Sequence, residues 1–303
     1  MESWLVKLLF TVVVFLTLNI LYKMISESKL YNIGSHSGTP LNGSLLNYFE
    51  YFIPNFIAND DDENIQCIYL SIKNVEFPHS FYLINAYNNV LCLSVSGVQT
   101  LYTLTLGNYN INTFITALSA LLGANYTITY NSITLKINIA SSLNFSIIIS
   151  RTTMNRFLGI SATSNTSSVL TGATYNLTST YVINFLPIQK INIRSSTLRV
   201  DSYNNYDKSN DVLLSIQNNS NFGGLILYQN LTNLRYLIDI KNLTTIDIRI
   251  TDDKNRDIDF NNCNWYLTFQ IDYIYKEVPV KVNLQTVLNN ENFIKEYLKS
   301  LEE

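Results

Sequence analysis

Four aspartates, Asp252, Asp253, Asp257 and Asp259, crowd one short stretch of the chain. Carboxylates this close can share a proton for acid–base work or hold a cation. Aspartate also builds turns, because its side chain bonds the backbone two residues on. The stretch lies between two alternating apolar runs that need a connection, so the turn is the favoured reading. A second acidic run, Asp60, Asp61, Asp62 and Glu63, lacks the glycine-centred loop of a calcium site and reads as solvated linker. There are two histidines, His36 and His79. His36 falls in a Gly/Ser-punctuated segment that could not position a base, and His79 follows Pro78 at a strand end. Cys67, Cys92 and Cys263 match no zinc spacing. Free thiols are favoured, and one disulfide plus a leftover thiol is the alternative. No nucleophile elbow, zinc helix, phosphate loop or dinucleotide fingerprint occurs. The chain therefore reads as a non-enzyme, with no metal and no cofactor.

The elements that would position such residues are mostly strands. Ile68, Leu70 and Ile72 alternate with polar neighbours, as do Trp265, Leu267, Phe269, Ile271, Tyr273 and Tyr275. Further strands are expected over 82–95, 100–106, 145–150, 181–185, 188–194, 212–216, 225–228 and 245–250. A hairpin is expected from Tyr126 to Ile139, turning near Asn131 and carrying Ile133 and Leu135 in its second strand. One helix is expected after Asn110, with Ile111, Phe114, Ile115, Leu118, Leu121 and Leu122 on its apolar face and Gly123 at its end. Residues 161–179 read as a loop. Many short strands and few helices imply an all-β sandwich or jelly roll.

The ends differ from this body. Trp4 to Tyr22 is one apolar run, and as a helix it spans about 28 Å, close to the hydrocarbon thickness of a bilayer. Leu8, Leu9, Phe10, Val13, Phe15, Leu16 and Ile20 would face lipid. Trp4 and Tyr22 suit the interfaces, and Lys7 can snorkel. A single-pass anchor over 1–24 is the favoured reading. A cleaved signal peptide is the rival, but no small-residue cut site follows the run. Residues 25–65 read as a linker carrying an aromatic arm, with Tyr48, Phe49, Phe52 and Phe56 as candidate subunit-interface residues; lying at the membrane interface and packing on the chain's own body are the alternatives. Residues 278–303 read as a tail whose amphipathic helix presents Phe293, Tyr297 and Leu301, either to a partner as a second candidate interface or to its own domain.

Charged residues make up 14% of the chain and the net charge is −3. No basic block suggests nucleic-acid binding. Eight N-x-S/T triplets start at Asn42, Asn125, Asn144, Asn165, Asn176, Asn218, Asn230 and Asn242. With about 40 asparagines, chance alone yields roughly that many, so they are no evidence of secretion.

Several segments carry a resemblance by their order. TLTLGNYNINTFITA at 104–118 leads into the hairpin TITYNSITLKINI and NRFLGIS at 155–161. INIRSSTL at 191–198, NFGGLILYQN at 221–230 and DIRITDDKNRDIDFNNCNWYLTFQID at 247–272 follow. This order resembles the minor capsid, or penton-type, proteins of large DNA viruses, virophages and related elements. It covers roughly residues 66–277. Lys254, Asn255 and Arg256 stand where that family often carries Gly before Asn, which puts the local turn geometry in question. The resemblance implies a jelly-roll body over 66–277, with a β-rich insertion around 100–179. It also implies a structural role in a virion, with other capsid proteins, a major capsid protein and further copies of the chain as partners. With the anchor, the expectation is a capsid layer attached to an internal lipid membrane. A membrane-anchored cell-surface β-sandwich adhesin is the alternative.

Overall fold

A computed structural model of the chain describes residues 26–42, 46–53, 65–186, 188–198, 208–238 and 244–275. In chain order the elements are β1 (Ser26–Gly34), β2 (Thr39–Pro40), β3 (Tyr48–Phe52), β4 (Ile65–Pro78), β5 (Val90–Val95) and β6 (Val98–Thr103). Then come α1 (Ile111–Leu122), β7 (Tyr126–Asn131), β8 (Lys136–Ser141), β9 (Phe145–Ile147) and a short α2 (Asn155–Leu158). β10 (Thr166–Ser167), β11 (Val169–Thr171), β12 (Thr174–Thr178), β13 (Lys190–Arg194) and β14 (Val212–Gln217) follow. β15 (Leu225–Gln229), β16 (Tyr236–Ile238), β17 (Thr245–Asp252) and β18 (Tyr266–Tyr275) complete the set.

Two antiparallel sheets enclose the larger core. One runs β1-β18-β4-β15, with β16 also paired to β4, and the other runs β14-β13-β17-β3-β2. The long central strand β18 makes the register visible: Leu267, Phe269, Ile271 and Tyr273 are buried while the residues between them face outward. Across it, Phe269 pairs with Ile72 and Ile271 with Leu70, so both strands commit the same face to the core. A register shift between Thr268 and Phe269 keeps that alternation in phase along β4. Trp265 is fully buried at the end of this strand. Phe49, Tyr51 and Phe77 meet its ring at 6.0, 6.5 and 6.0 Å, edge-on, the geometry an aromatic quadrupole favours. Its Nε1 donates to the Leu46 carbonyl at 2.6 Å.

A second core lies in the chain between β4 and β13. Sheets β10-β9-β5-β6 and β11-β12-β8-β7 pack with α1 around Phe114, Leu118, Phe145, Ile147, Phe157 and Leu158. Asn110 caps α1 through a reciprocal box with Thr113, and Gly123 ends it at φ +78°. The two cores together make an all-β sandwich-like molecule with few helices.

Several expectations change. Residues 25–65 do not begin as a linker: β1 runs beside β18 for nine residue pairs, from Ser26↔Ile274 to Gly34↔Tyr266. β3 pairs with β17. Phe49, Tyr51 and Ile53 alternate into the core, so this aromatic stretch is a strand of the body. The second core gathers residues from Leu83 to Phe185, a wider stretch than 100–179. The expected loop 161–179 contains β10, β11 and β12, whereas 181–185 forms no strand. Ile133 and Leu135 sit in the turn between β7 and β8 rather than in β8. Among the described residues no helix is long and apolar enough to cross a membrane. The Trp4–Tyr22 run, Phe56, the acidic run 60–63 and the tail with Phe293, Tyr297 and Leu301 lie outside the described residues.

Candidate assembly surfaces

Most of the residues with chemical potential hold loops, although the buried Asp253 Oδ1 has no hydrogen-bond partner among the described residues. Asp247, in β17, is buried and its carboxylate faces the Ser195–Leu198 turn. Ser195 Oγ donates to it at 3.0 Å, Ser196 N and Oγ at 2.9 Å each, Thr197 N at 2.9 Å and Thr197 Oγ1 at 2.7 Å. Tyr48 adds its hydroxyl at 3.3 Å. Burial pushes the Asp247 carboxyl up, but the bonds from Thr197 and Ser196 outweigh it and hold the group below its ordinary value. Arg194, next to this turn, is also buried. It pairs with Asp211 at 2.7 Å and donates to Thr251 Oγ1 at 2.9 Å. The R-S-x-x-L segment is therefore a polar clamp between β13 and β17.

The aspartate cluster is a turn. Asp252 accepts from the backbone of Lys254 and Arg256 at 2.8 and 2.9 Å, and from Arg256 Nε at 2.7 Å. Asp257 takes Arg249 Nε at 2.8 Å and Asn42 Nδ2 at 2.6 Å. Asp259 accepts the Asn261 N–H at 2.8 Å. Asp253 stands beside Lys254, whose ammonium is pushed down by burial and by Arg156 and Arg256 nearby. Within the turn Asn255 adopts φ +59°, a left-handed conformation that asparagine tolerates. Arg256 reaches across to the inserted unit and stacks on Tyr87 at 4.9 Å. The turn thus positions one unit against the other. Between them lies a cleft of about 180 Å³ lined by Tyr82, Tyr87, Asp257 and Asp259 among others.

Neither histidine faces a nucleophile. His79 bonds the Ser220 carbonyl through Nδ1 at 2.8 Å and lies 4.4 Å from the Phe81 ring. His36 is exposed beside Tyr266. The three cysteines are free. Among the described residues no group of three His, Cys, Asp or Glu could hold a metal ion.

What the described surface offers instead is apolar contact. Of the expected interface residues, Phe52 is 73% exposed and remains available, while Phe49 is buried in the body's own core. Tyr48 is half-buried and bonded to Asp247. Sequence reasoning missed a larger patch. Phe222, Leu225, Leu227, Leu231, Leu234 and Leu237 are all exposed, and all belong to the β15–β16 edge of the first sheet. The available signal was alternation: Ile226 is buried while Leu225 and Leu227 face out, so a strand apolar on both faces carries more leucine than one core needs.

No family model matches the chain, and no curated protein matches it. Among solved structures, the crystal structure of the selenomethionine-labelled mavirus penton protein is similar at 13% identity and a TM-score of 0.42, covering 82% of this chain and 99% of that one. A likeness at that TM-score establishes neither fold family nor function.

Proposed function

We propose that this chain is a structural virion protein, a minor capsid subunit of penton type tethered to a membrane beneath an icosahedral shell. The observation that carries the reading is where the ordered sequence motifs fall in the fold. Each marks a joint: Asn110 and Gly123 bound α1, Gly159 ends α2 at φ +61°, Ser195–Leu198 closes on Asp247, and Asp252–Arg256 folds the turn before the buried Trp265. Residues that fix the joints are what a shared fold would keep in order, which supports a jelly-roll body with an inserted unit. Its partners would be other capsid proteins, including a major capsid protein, further copies of itself, and lipid. The Trp4–Tyr22 run would supply the tether. Strands side by side and exposed apolar edges suit repeated contacts in a symmetric shell, where modest pairwise energies accumulate. Purified particles test this. The chain should co-purify with them at fixed stoichiometry and resist salt washing until the membrane is dissolved. Its absence from particles would contradict the reading.

A further inference from the structure

We propose that the β15–β16 edge is an interface for a second copy of this chain, formed by strand addition at Leu225 and Leu227. This rests on the shell-subunit reading for its place in a repeated assembly, but its geometry stands by itself.

β15 pairs antiparallel with β4 from Leu225↔Pro78 to Gln229↔Asn74. The bonds that frame this ladder are His79 N to Gly224 O and Asn230 N to Lys73 O, each 2.9 Å. Antiparallel ladders alternate bonded residues. Ile226 and Tyr228 therefore direct their backbone groups at β4, and Leu225 and Leu227 direct theirs at the open edge. Among the described residues no backbone group bonds the N–H or C=O of either leucine there. The same two side chains are 59% and 60% exposed. An edge with free backbone and apolar side chains is a template for another strand, and folded proteins commonly block such edges with charge, proline or bulges. None of these guards β15 itself: Phe222 to Leu234 contains no charged residue and no proline, and the first charge on this edge, Arg235 just before β16, lies over the Tyr69 ring. The opposite edge of the sheet, β1, carries Glu27 and Lys29.

The patch is large enough for a stable pair. β15 and β16 lie end to end along β4, pairing with its residues Asn74 to Pro78 and Ile68 to Leu70. Leu231, 81% exposed, and Leu234 fill the connection between them. The six apolar side chains present on the order of 600 Å², most of the ~800 Å² per partner of a standard interface and at the upper end for a lone monomer. A second copy brings the same uncharged strand and leucines, so both backbone and apolar needs are met by one partner.

The test is sedimentation of the full chain in detergent micelles over a range of concentrations, comparing the parent with a Leu225→Lys/Leu227→Lys variant. Val98→Lys/Leu101→Lys, on the exposed β6 edge of the inserted unit, is the control. The parent and control should self-associate, and the β15 variant should raise the dissociation constant by roughly 100-fold or more. Equal association of variant and parent, with the same circular dichroism spectrum, overturns the proposal. So does a parent that stays single at every concentration. Hydrogen exchange on the parent decides if the variant fails to fold. Amide protection at Leu225 and Leu227 that rises with chain concentration supports the pairing. Protection that is constant, or that appears only with lipid vesicles, overturns it. Absence from particles would sink the shell reading while leaving this association measurable.

Discussion

Removing the Asp247 carboxylate should unlock the turn that joins β13 to β17. Three hydroxyls and two backbone N–H groups from Ser195 to Thr197 donate to it, and Asp247 is 6% exposed. In Asp247→Ala the hydroxyls can rotate to other partners, but the N–H groups of Ser196 and Thr197 cannot. Ser196 is exposed and Thr197 half-buried, so water can reach both donors; each lost bond costs about 0.5–1.5 kcal/mol and the loss should be about 2 kcal/mol. Asp247→Asn keeps one acceptor oxygen but turns an amide toward the remaining donors, and should lose about half as much. Acid dependence supplies an independent readout. Because the folded carboxyl is held below its ordinary value, the unfolded chain binds more protons in the interval between the two values. Stability from this group is therefore complete above the unfolded value and is lost as pH falls through the folded one. Urea unfolding followed by circular dichroism, from neutral pH to the acid limit, measures both effects. The Asn variant should be weaker at neutral pH and show a shallower acid decline. An Ala variant within about 0.5 kcal/mol of the parent, with an unchanged acid slope, would refute the reasoning.

Four other outcomes are expected. Gly159→Ala should destabilise the inserted unit by about 1–3 kcal/mol, because φ is +61° and the Tyr181 carbonyl occupies the space a methyl would take; its melting transition reports this. Asp257→Ala strips partners from Arg249 and Asn42 and should cost about 1–3 kcal/mol in urea unfolding while leaving divalent-cation titrations flat. On the shell-subunit reading, glycosidase treatment of the chain from its native source should give no mass shift at any of the eight N-x-S/T triplets, because a body assembled on the cytosolic side of its membrane is not exposed to glycosyl transfer. Deleting residues 1–24 should abolish flotation with membranes and preserve the β circular dichroism signal; a deleted chain that still floats would remove the tether.

Strands with strict alternation are legible in the amino-acid order alone. β4 and β18 follow from Ile68, Leu70, Ile72 and the Trp265–Tyr273 series, and α1 follows from its Asn110 and Gly123 boundaries. The aspartate turn is legible because its residues have a simpler use than catalysis. β3 is masked by its own composition: Phe49, Tyr51 and Ile53 have period two, but the exposed Phe52 between them makes the stretch apolar throughout, which mimics an arm. β1 is masked because its inward face includes Lys29, whose ammonium lies 4.9 Å over the Tyr273 ring, a pairing no local pattern announces. β10 to β12 are rich in Ser, Thr and Asn and are strands only because β8 and β9 offer them edges. The β15–β16 patch depends on topology, since only the sheet order reveals which strand has a free side.

Cross-linking of intact purified particles bears most directly on the shell-subunit reading. Lys190 and Lys208, exposed on the body, should link to other shell proteins and to further copies of this chain, at the same ratio in every preparation. A chain missing from the particles, or one whose links are confined to proteins outside the shell, would contradict it.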